Sequence, residues 1–236
     1  MKQKQENNDF LIEAKNVVKI FNKGMPNEVV ALSDINLQIR KGEALTIMGP
    51  SGSGKTTLLN CISGIDDATR GEIWIARQNL QKMSDNKKTK YRSQKMGFIF
   101  QSFNLIPVLN ALENVELPLL LNGYKPKEAR KKAKLMLDKV GLSERYYHKP
   151  NELSGGQKQR VTIARALVHS PEVIWADEPT GNLDRKTAFE IFDLMVKLNH
   201  ELGVTLVVVT HDQEIAEKTD RIIYMESGKI KNFDKI

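Results

Sequence analysis

The sequence predicts an α/β fold, with a mostly parallel sheet buried between helices. Three observations carry this. Apolar, β-branched runs of strand length occur at Ala44-Leu45-Thr46-Ile47-Met48, Val173-Ile174-Trp175-Ala176 and Val204 to Val209. Near-continuous apolar character, rather than alternation, marks strands covered on both faces. Helical periodicity at Lys186 to Leu202 falls between the last two runs, as a strand–helix–strand crossover requires.

The elements follow in order. Phe10 to Ile20 is apolar throughout and Ile35-Asn36-Leu37-Gln38-Ile39 alternates, so the first ninety residues favour strands. Gly71-Glu72-Ile73-Trp74-Ile75 and Gly97-Phe98-Ile99-Phe100 are two more. From about Asn110 to Leu167 the period is helical, with Gly141, Pro150 and Gly155-Gly156 as punctuation. This block reads as a helical subdomain inserted into the core. Asp220 to Ile230 gives a closing strand pair around Gly228. A chain of 236 residues suits one such domain.

The N-terminal stretch 1–9 is polar, lacks the apolar segment of a signal peptide and is expected to be a flexible arm. The longest apolar runs, Leu117 to Leu121 and Val204 to Val209, fall far short of the roughly 20 residues that cross a bilayer. The lone cysteine, Cys61, excludes an internal disulfide and reads as a small core residue in a reducing compartment.

The net charge of +7 concentrates in two runs. Lys82 to Lys95 holds six basic residues against Asp85, and Lys125 to Lys139 holds seven against Glu128 and Asp138. In the second, Lys127, Arg130, Lys131 and Lys134 lie opposite Ala129, Ala133, Met136 and Val140, which makes a basic-faced amphipathic helix. A solvated face is its simplest reading and an anionic membrane surface is another. No aromatics interleave with the lysines as stacking on bases requires, so no nucleic-acid partner is expected.

The run Gly49-Pro50-Ser51-Gly52-Ser53-Gly54-Lys55-Thr56 joins the first buried strand to the helix starting near Thr57 and fits G-x-x-x-x-G-K-[ST]. Gly52 and Gly54 let the backbone approach phosphate oxygens, and Lys55 brings a compact charge to the β- and γ-phosphates. The Thr56 hydroxyl is placed to ligate Mg²⁺, and the helix N-terminus points at the anion. A second glycine-rich helix start, Leu153-Ser154-Gly155-Gly156-Gln157, repeats the device. One chain therefore has two anion nests. Either it binds two anions, or each nest is half of a site completed by a second copy; these residues alone do not choose.

Further motifs fill in the pattern. Val173 to Ala176 ends in paired carboxylates, Asp177 and Glu178; His211 ends the strand Val207 to Thr210; Gln101 follows Phe100. With Phe21, the Gly49–Thr57 loop and Asn182-Leu183-Asp184, these stand in the order found in the ATP-binding subunits of ABC transporters, which the chain resembles from Phe10 to Ile230. The resemblance implies a P-loop NTPase (RecA-like) core with a mostly parallel sheet and an N-terminal antiparallel β portion. It implies one ABC ATPase domain over 10–236, with the helical subdomain at approximately 102–167. It also implies ATP and Mg²⁺ as cofactors. Phe21 is then expected to stack on adenine, Asp177, Thr56 and Gln101 to hold Mg²⁺, Glu178 to act as general base, and His211 to contact the γ-phosphate. The absence of an Asn-Lys-x-Asp element fits adenine rather than guanine.

The resemblance further implies a head-to-tail dimer in which Ser154, Gly155, Gly156 and Gln157 of one copy close over the other's nucleotide. A separate integral membrane permease reads the closure, which places the chain at the cytoplasmic face of the membrane. Phe103 to Pro107 is expected to line the groove that receives the permease. Leu105-Ile106-Pro107, Ala111 to Val115 and Ala176 to Asp184 resemble a branch that includes lipoprotein-release, macrolide-export, antimicrobial-peptide-resistance and cell-division ATPases. Within that branch the expected role is antibiotic export or resistance by mechanotransmission. A cell-division signalling ATPase, a lipoprotein-release ATPase and a soluble non-transport ATPase are the alternatives.

Overall fold

The computed structural model describes residues 10–235; the arm expected at 1–9 lies outside the described residues. The chain runs β1 (Phe10–Phe21), β2 (Val29–Arg40), β3 (Ala44–Met48), α1 (Lys55–Ile62), β4 (Arg70–Ile75), β5 (Gln78–Asn79), α2 (Asp85–Lys95) and β6 (Met96–Phe100). It continues through α3 (Ala111–Leu121), α4 (Pro126–Lys139), α5 (Gly155–Leu167), β7 (Val173–Asp177), α6 (Arg185–Leu202), β8 (Thr205–Val209), α7 (Gln213–Ala216), β9 (Arg221–Glu226) and β10 (Lys229–Lys235).

Two sheets result. One is antiparallel, in the order β2-β1-β4-β5; the other, in the order β10-β9-β3-β8-β7-β6, is parallel except for its β9–β10 edge. The parallel sheet separates two cores, and strand alternation decides which residue joins which. Leu45, Ile47, Val173, Trp175, Val207 and Val209 face the antiparallel sheet and α1. Ile174, Ala176, Leu206 and Val208 face α3, α4, α5 and α6. Trp175 is fully buried in the first core, in the same cluster as Leu58 and Leu59 of α1. Cys61 is buried there too, and burial pushes its thiol up to about 12, so it stays an unreactive thiol.

The helical stretch is built by local signals. Asn110 and Glu113 form a capping box at the start of α3, and Pro126 sits at the first turn of α4. The buried stripe of α4 is Ala129, Ala133 and Leu137, continuing into Val140; Met136 is only partly covered. Its basic face is not wholly free, because Arg130 grips Glu116 of α3 through two bonds of 2.9 and 3.0 Å.

α2 is a helix that periodicity missed. Of Asp85-Asn86-Lys87-Lys88-Thr89-Lys90-Tyr91-Arg92-Ser93-Gln94-Lys95 only Lys88 and Tyr91 are buried, so there is no apolar stripe to read. Tertiary bonds hold it instead: Tyr91 Oη donates to the Ile75 carbonyl at 3.3 Å, and Lys88 Nζ reaches Asp67 at 2.5 Å. Among the described residues, no helix is long and apolar enough to cross a membrane.

Candidate functional site

Strand β3 delivers the chain into the Gly49–Thr56 loop. Gly49 has φ of +146°, and a Cβ there would sit 2.1 Å from the Met225 carbonyl oxygen; a Cβ on Gly54, at φ +99°, would meet the Ala31 carbonyl at 2.6 Å. Only glycine fits either place. Pro50, Ser51 and Gly52 form the exposed rim, while Ser53 is buried with its Oγ unpartnered. Helix α1 begins at Lys55 with no side-chain cap and no acidic residue in its first turn, so its N–H groups face the loop uncompensated. Lys55 Nζ lies inside the loop, donating to the carbonyls of Gly49 at 2.8 Å and Pro50 at 2.9 Å. That geometry is an anion cradle with its counter-charge in place.

The cradle opens into a cleft of about 460 Å³ that Thr57 and Glu178 also line. Sequence reasoning missed its other walls, Val29 and Val30 of β2 and the Ser227-Gly228 turn. That turn clamps the loop, since the Gly228 N–H donates to the Ser53 carbonyl at 3.0 Å. Gly228 was legible as a turn; which loop it would meet was not, because that depends on β9 pairing with β3.

The end of β7 brings the acidic pair to the cradle. Thr56 Oγ1 donates to Asp177 Oδ1 at 3.2 Å across 121 residues of sequence. A hydroxyl and a carboxylate are the hard oxygen donors that Mg²⁺ selects, so the residues present fit that ion. Partial burial raises the pKa of Asp177, and the Glu178 charge adds to the effect, while Thr56 and Lys55 oppose it. A carboxyl held above its ordinary pKa stabilises the fold fully at pH below the usual carboxylate range and loses that contribution as pH rises through the raised value. Asp177→Asn is therefore expected to raise the melting temperature of the metal-free protein at pH 7, by a margin that shrinks toward pH 4. It should also weaken the stabilisation that Mg²⁺ and ATP together confer. Thermal scans across pH check both.

Glu178 takes φ of +46°, a left-handed conformation that a non-glycine residue adopts only under constraint. Its N–H is fixed to the Val209 carbonyl at 2.9 Å, and Oε1 lies 3.0 Å from His211 Nδ1. Because a carboxylate only accepts, Nδ1 carries the proton in this pair. Lys55, Thr56 and Glu178 thus line one cleft. Asp177 joins it through its bond to Thr56, and His211 stands on the other side of Glu178, in a neighbouring cleft that Glu178 also lines.

Other expected site residues lie apart. Gln101 Nε2 donates to Asn182 Oδ1 at 3.3 Å, and Asn182 Nδ2 donates to the Gln101 carbonyl at 2.9 Å, so the Gln101 amide is engaged with Asn182 and is not part of the cleft's lining. Ser154 caps α5: its Oγ accepts from the Gln157 N–H at 3.3 Å, and Gln157 Oε1 accepts from the Ser154 N–H at 2.9 Å. The helix therefore starts at Gly155, and Gly155 and Gly156 pack against Leu183 and Thr187. None of 154–157 lines the cradle's cleft. Phe21 is 39% exposed, with Lys19 Nζ 4.8 Å from its ring centroid, and it too stands outside the cleft's lining.

An apolar groove of about 410 Å³ opens between α2 and α3, against Phe98, Phe100, Leu117, Leu121 and Ala166. Phe103 to Pro107 lie outside this groove's lining. Arg165 ties down the carbonyls of Phe103 and Asn104, at 3.0 and 2.6 Å, and both residues have positive φ.

Residues 32–181 match the ABC transporter family model. The chain belongs to the ABC transporter family. Across 223 residues it is 46% identical to the lipoprotein-releasing system ATP-binding protein LolD of Legionella pneumophila, covering 94% of this chain and 98% of that one. It is 49% identical over 231 residues to MJ0796 of Methanocaldococcus jannaschii, an uncharacterized ABC transporter ATP-binding protein, covering 96% and 97%. A solved dimeric structure of a post-hydrolysis state of MJ0796 bound to ADP and Pi superposes with a TM-score of 0.86 at 47% identity, over 95% of this chain and 98% of that one. As an ABC cassette the chain is an ATPase that uses ATP and Mg²⁺, and its two-sheet α/β architecture is that of the P-loop NTPases.

Proposed function

We propose that two copies of the chain close head to tail around two ATP molecules and that this closure drives a separate membrane permease. The observation that carries the reading is the incomplete cleft: the Lys55 cradle lacks any wall from Ser154 to Gln157 of its own chain, although Ser154 keeps its hydroxyl hydrogen available. A second copy supplies the missing half. That MJ0796, which this chain resembles, is dimeric and binds ADP and Pi supports the reading. In this reading 10–236 is one ABC ATPase domain with its helical part at about 102–167, and the permease docks in the apolar groove between α2 and α3. The chain then sits at the cytoplasmic membrane face.

Within each composite site, Lys55 and the loop N–H groups hold the β- and γ-phosphates. Mg²⁺, when bound by Thr56, Asp177 and Gln101, neutralises charge that develops on those phosphates. Glu178 orients the attacking water and accepts its proton. His211 orients the Glu178 carboxylate and reaches the γ-phosphate. Ser154 and Gly156 of the second copy complete the anion shell, and Phe21 offers a π face to adenine. His211→Ala is expected to cut turnover by about 100-fold or more while leaving ATP affinity near that of the parent, the scale of one lost transition-state contact. Steady-state hydrolysis beside equilibrium nucleotide binding checks this.

For the cargo, we propose release of lipoproteins rather than export of antimicrobial peptides or macrolides. The support is the 46% identity to LolD over nearly the whole chain; the relatives named above lend no such support to antibiotic export. The test is ATP hydrolysis by the chain reconstituted in lipid discs with its permease. Acylated lipoprotein should stimulate turnover severalfold. Stimulation by a macrolide or cationic peptide, with none by lipoprotein, would reverse the assignment.

A further inference from the structure

The basic run Lys82 to Lys95 has no part in the ATPase site, yet it folds into one wall of a second cleft. This space of about 620 Å³ lies between the β4–β5 region and the outer side of α2. Lys82, Lys87 and Lys90 line it, all exposed, and among the described residues none of the three has a carboxylate partner. Lys95, also on the rim, is held by Glu172 at 2.8 Å. Trp74 forms the aromatic wall, and its Nε1 donates to Glu72 at 3.1 Å; Glu72 is not part of the cleft's lining. Lys82 Nζ lies 5.9 Å from the Trp74 ring centroid.

The second observation is on the floor. Asn79 lines the cleft but is only 8% exposed. Its Oδ1 accepts the Lys82 N–H at 3.3 Å, while its Nδ2 is buried with no acceptor in the protein. Buried amide donors are nearly always satisfied, and an orphan is unfavourable unless a ligand or water completes it. Three ammonium groups without carboxylate partners on the lining of one cleft, beside a residue whose amide donor has no acceptor in the protein, describe a receptor for a compact, multiply charged oxyanion. Lysines act as point charges suited to phosphate, without the planar fork that arginine offers a carboxylate. The single flanking tryptophan does not provide the succession of rings that a nucleic acid strand stacks on.

We propose that this cleft binds a phosphate group, carried either by a soluble phosphate ester or by a lipid headgroup. The site is separate from the nucleotide cradle and independent of the reading of the cargo. Trp74 is a built-in reporter, because the other tryptophan of the chain, Trp175, is fully buried in the core.

The experiment follows tryptophan emission of the full chain, with ADP and Mg²⁺ saturating the cradle. One arm titrates glycerol phosphate; the other titrates phosphatidylglycerol vesicles, with phosphatidylcholine vesicles as the neutral control. A saturable change in either arm is expected, and the arm that responds identifies the source. Lys87→Glu/Lys90→Glu should weaken the response about tenfold or more by replacing attraction with repulsion. Asn79→Asp, which keeps the acceptor for Lys82 and removes the donor, should weaken it as well. Lys131→Glu/Lys134→Glu, an equal charge change on α4, should leave it unaltered. Unchanged ATP hydrolysis by the Lys87/Lys90 variant shows that it has folded; if it has not, Lys87→Gln/Lys90→Gln takes its place. No response in either arm, a response that survives the Lys87/Lys90 change, or equal loss in the α4 variant would overturn the proposal.

Discussion

Glu178→Gln is expected to turn an ATP-dependent encounter into a stable dimer. The amide keeps the shape of the carboxylate and can still accept from His211 Nδ1, while the backbone bond to the Val209 carbonyl keeps the left-handed turn that follows β7. It cannot take a proton from the attacking water, and turnover should fall by about 100- to 10,000-fold, the range of lost general-base catalysis. Binding energy from both half-sites is then retained while release is blocked. With ATP and Mg²⁺, light scattering should show a species of twice the 26.8 kDa chain mass holding two nucleotides, and without ATP the monomer. Adding Ser154→Arg should abolish the dimer and spare ATP binding by the monomer, because Ser154 lies outside the Lys55 cleft of its own chain. A Glu178→Gln chain that stays monomeric at saturating ATP, alone and with its permease, would refute the shared site.

Much of this site could be read from the chain because its devices are local. A glycine forced to φ +146°, an uncapped helix start and a lysine one residue later occupy a single stretch of sequence. The buried strands β3, β7 and β8 were equally plain, since burial on both faces leaves an unbroken apolar run. What stayed hidden is set by distant pairing. The Thr56–Asp177 bond requires β7 and β3 to flank β8 in the sheet, and the Ser227-Gly228 wall requires β9 on the other side of β3. Helix α2 was missed for a different reason: a surface helix of lysines and small polar residues has no stripe to detect, and it is fixed by Tyr91 and Lys88. The position of Gln101 also lay beyond sequence reasoning, since its clasp with Asn182 is a choice between two loops 81 residues apart.

Lys55→Ala should abolish tight nucleotide binding while leaving the fold in place. Among the described residues Lys55 Nζ donates to two loop carbonyls, Gly49 and Pro50, and Lys55 is not a member of either core. Losing it should leave the Gly49 turn intact, because that turn is enforced by the Met225 carbonyl and not by the ammonium. For ATP the consequence is large. Charge-assisted bonds to phosphate contribute about 1.5–3 kcal/mol each, so removing the group that meets two phosphates predicts an affinity about 100- to 10,000-fold weaker. Lys55→Arg should rescue little, since a planar guanidinium does not fit where a compact ammonium sits between two carbonyls less than 3 Å away. Circular dichroism and the melting temperature without nucleotide should match the parent. The rise in melting temperature that ATP and Mg²⁺ produce should disappear, because a ligand stabilises a fold only in proportion to its occupancy. Parental ATP affinity in a folded Lys55→Ala chain would mean that the loop N–H groups alone hold the phosphates, and that the lysine acts later, on the transition state.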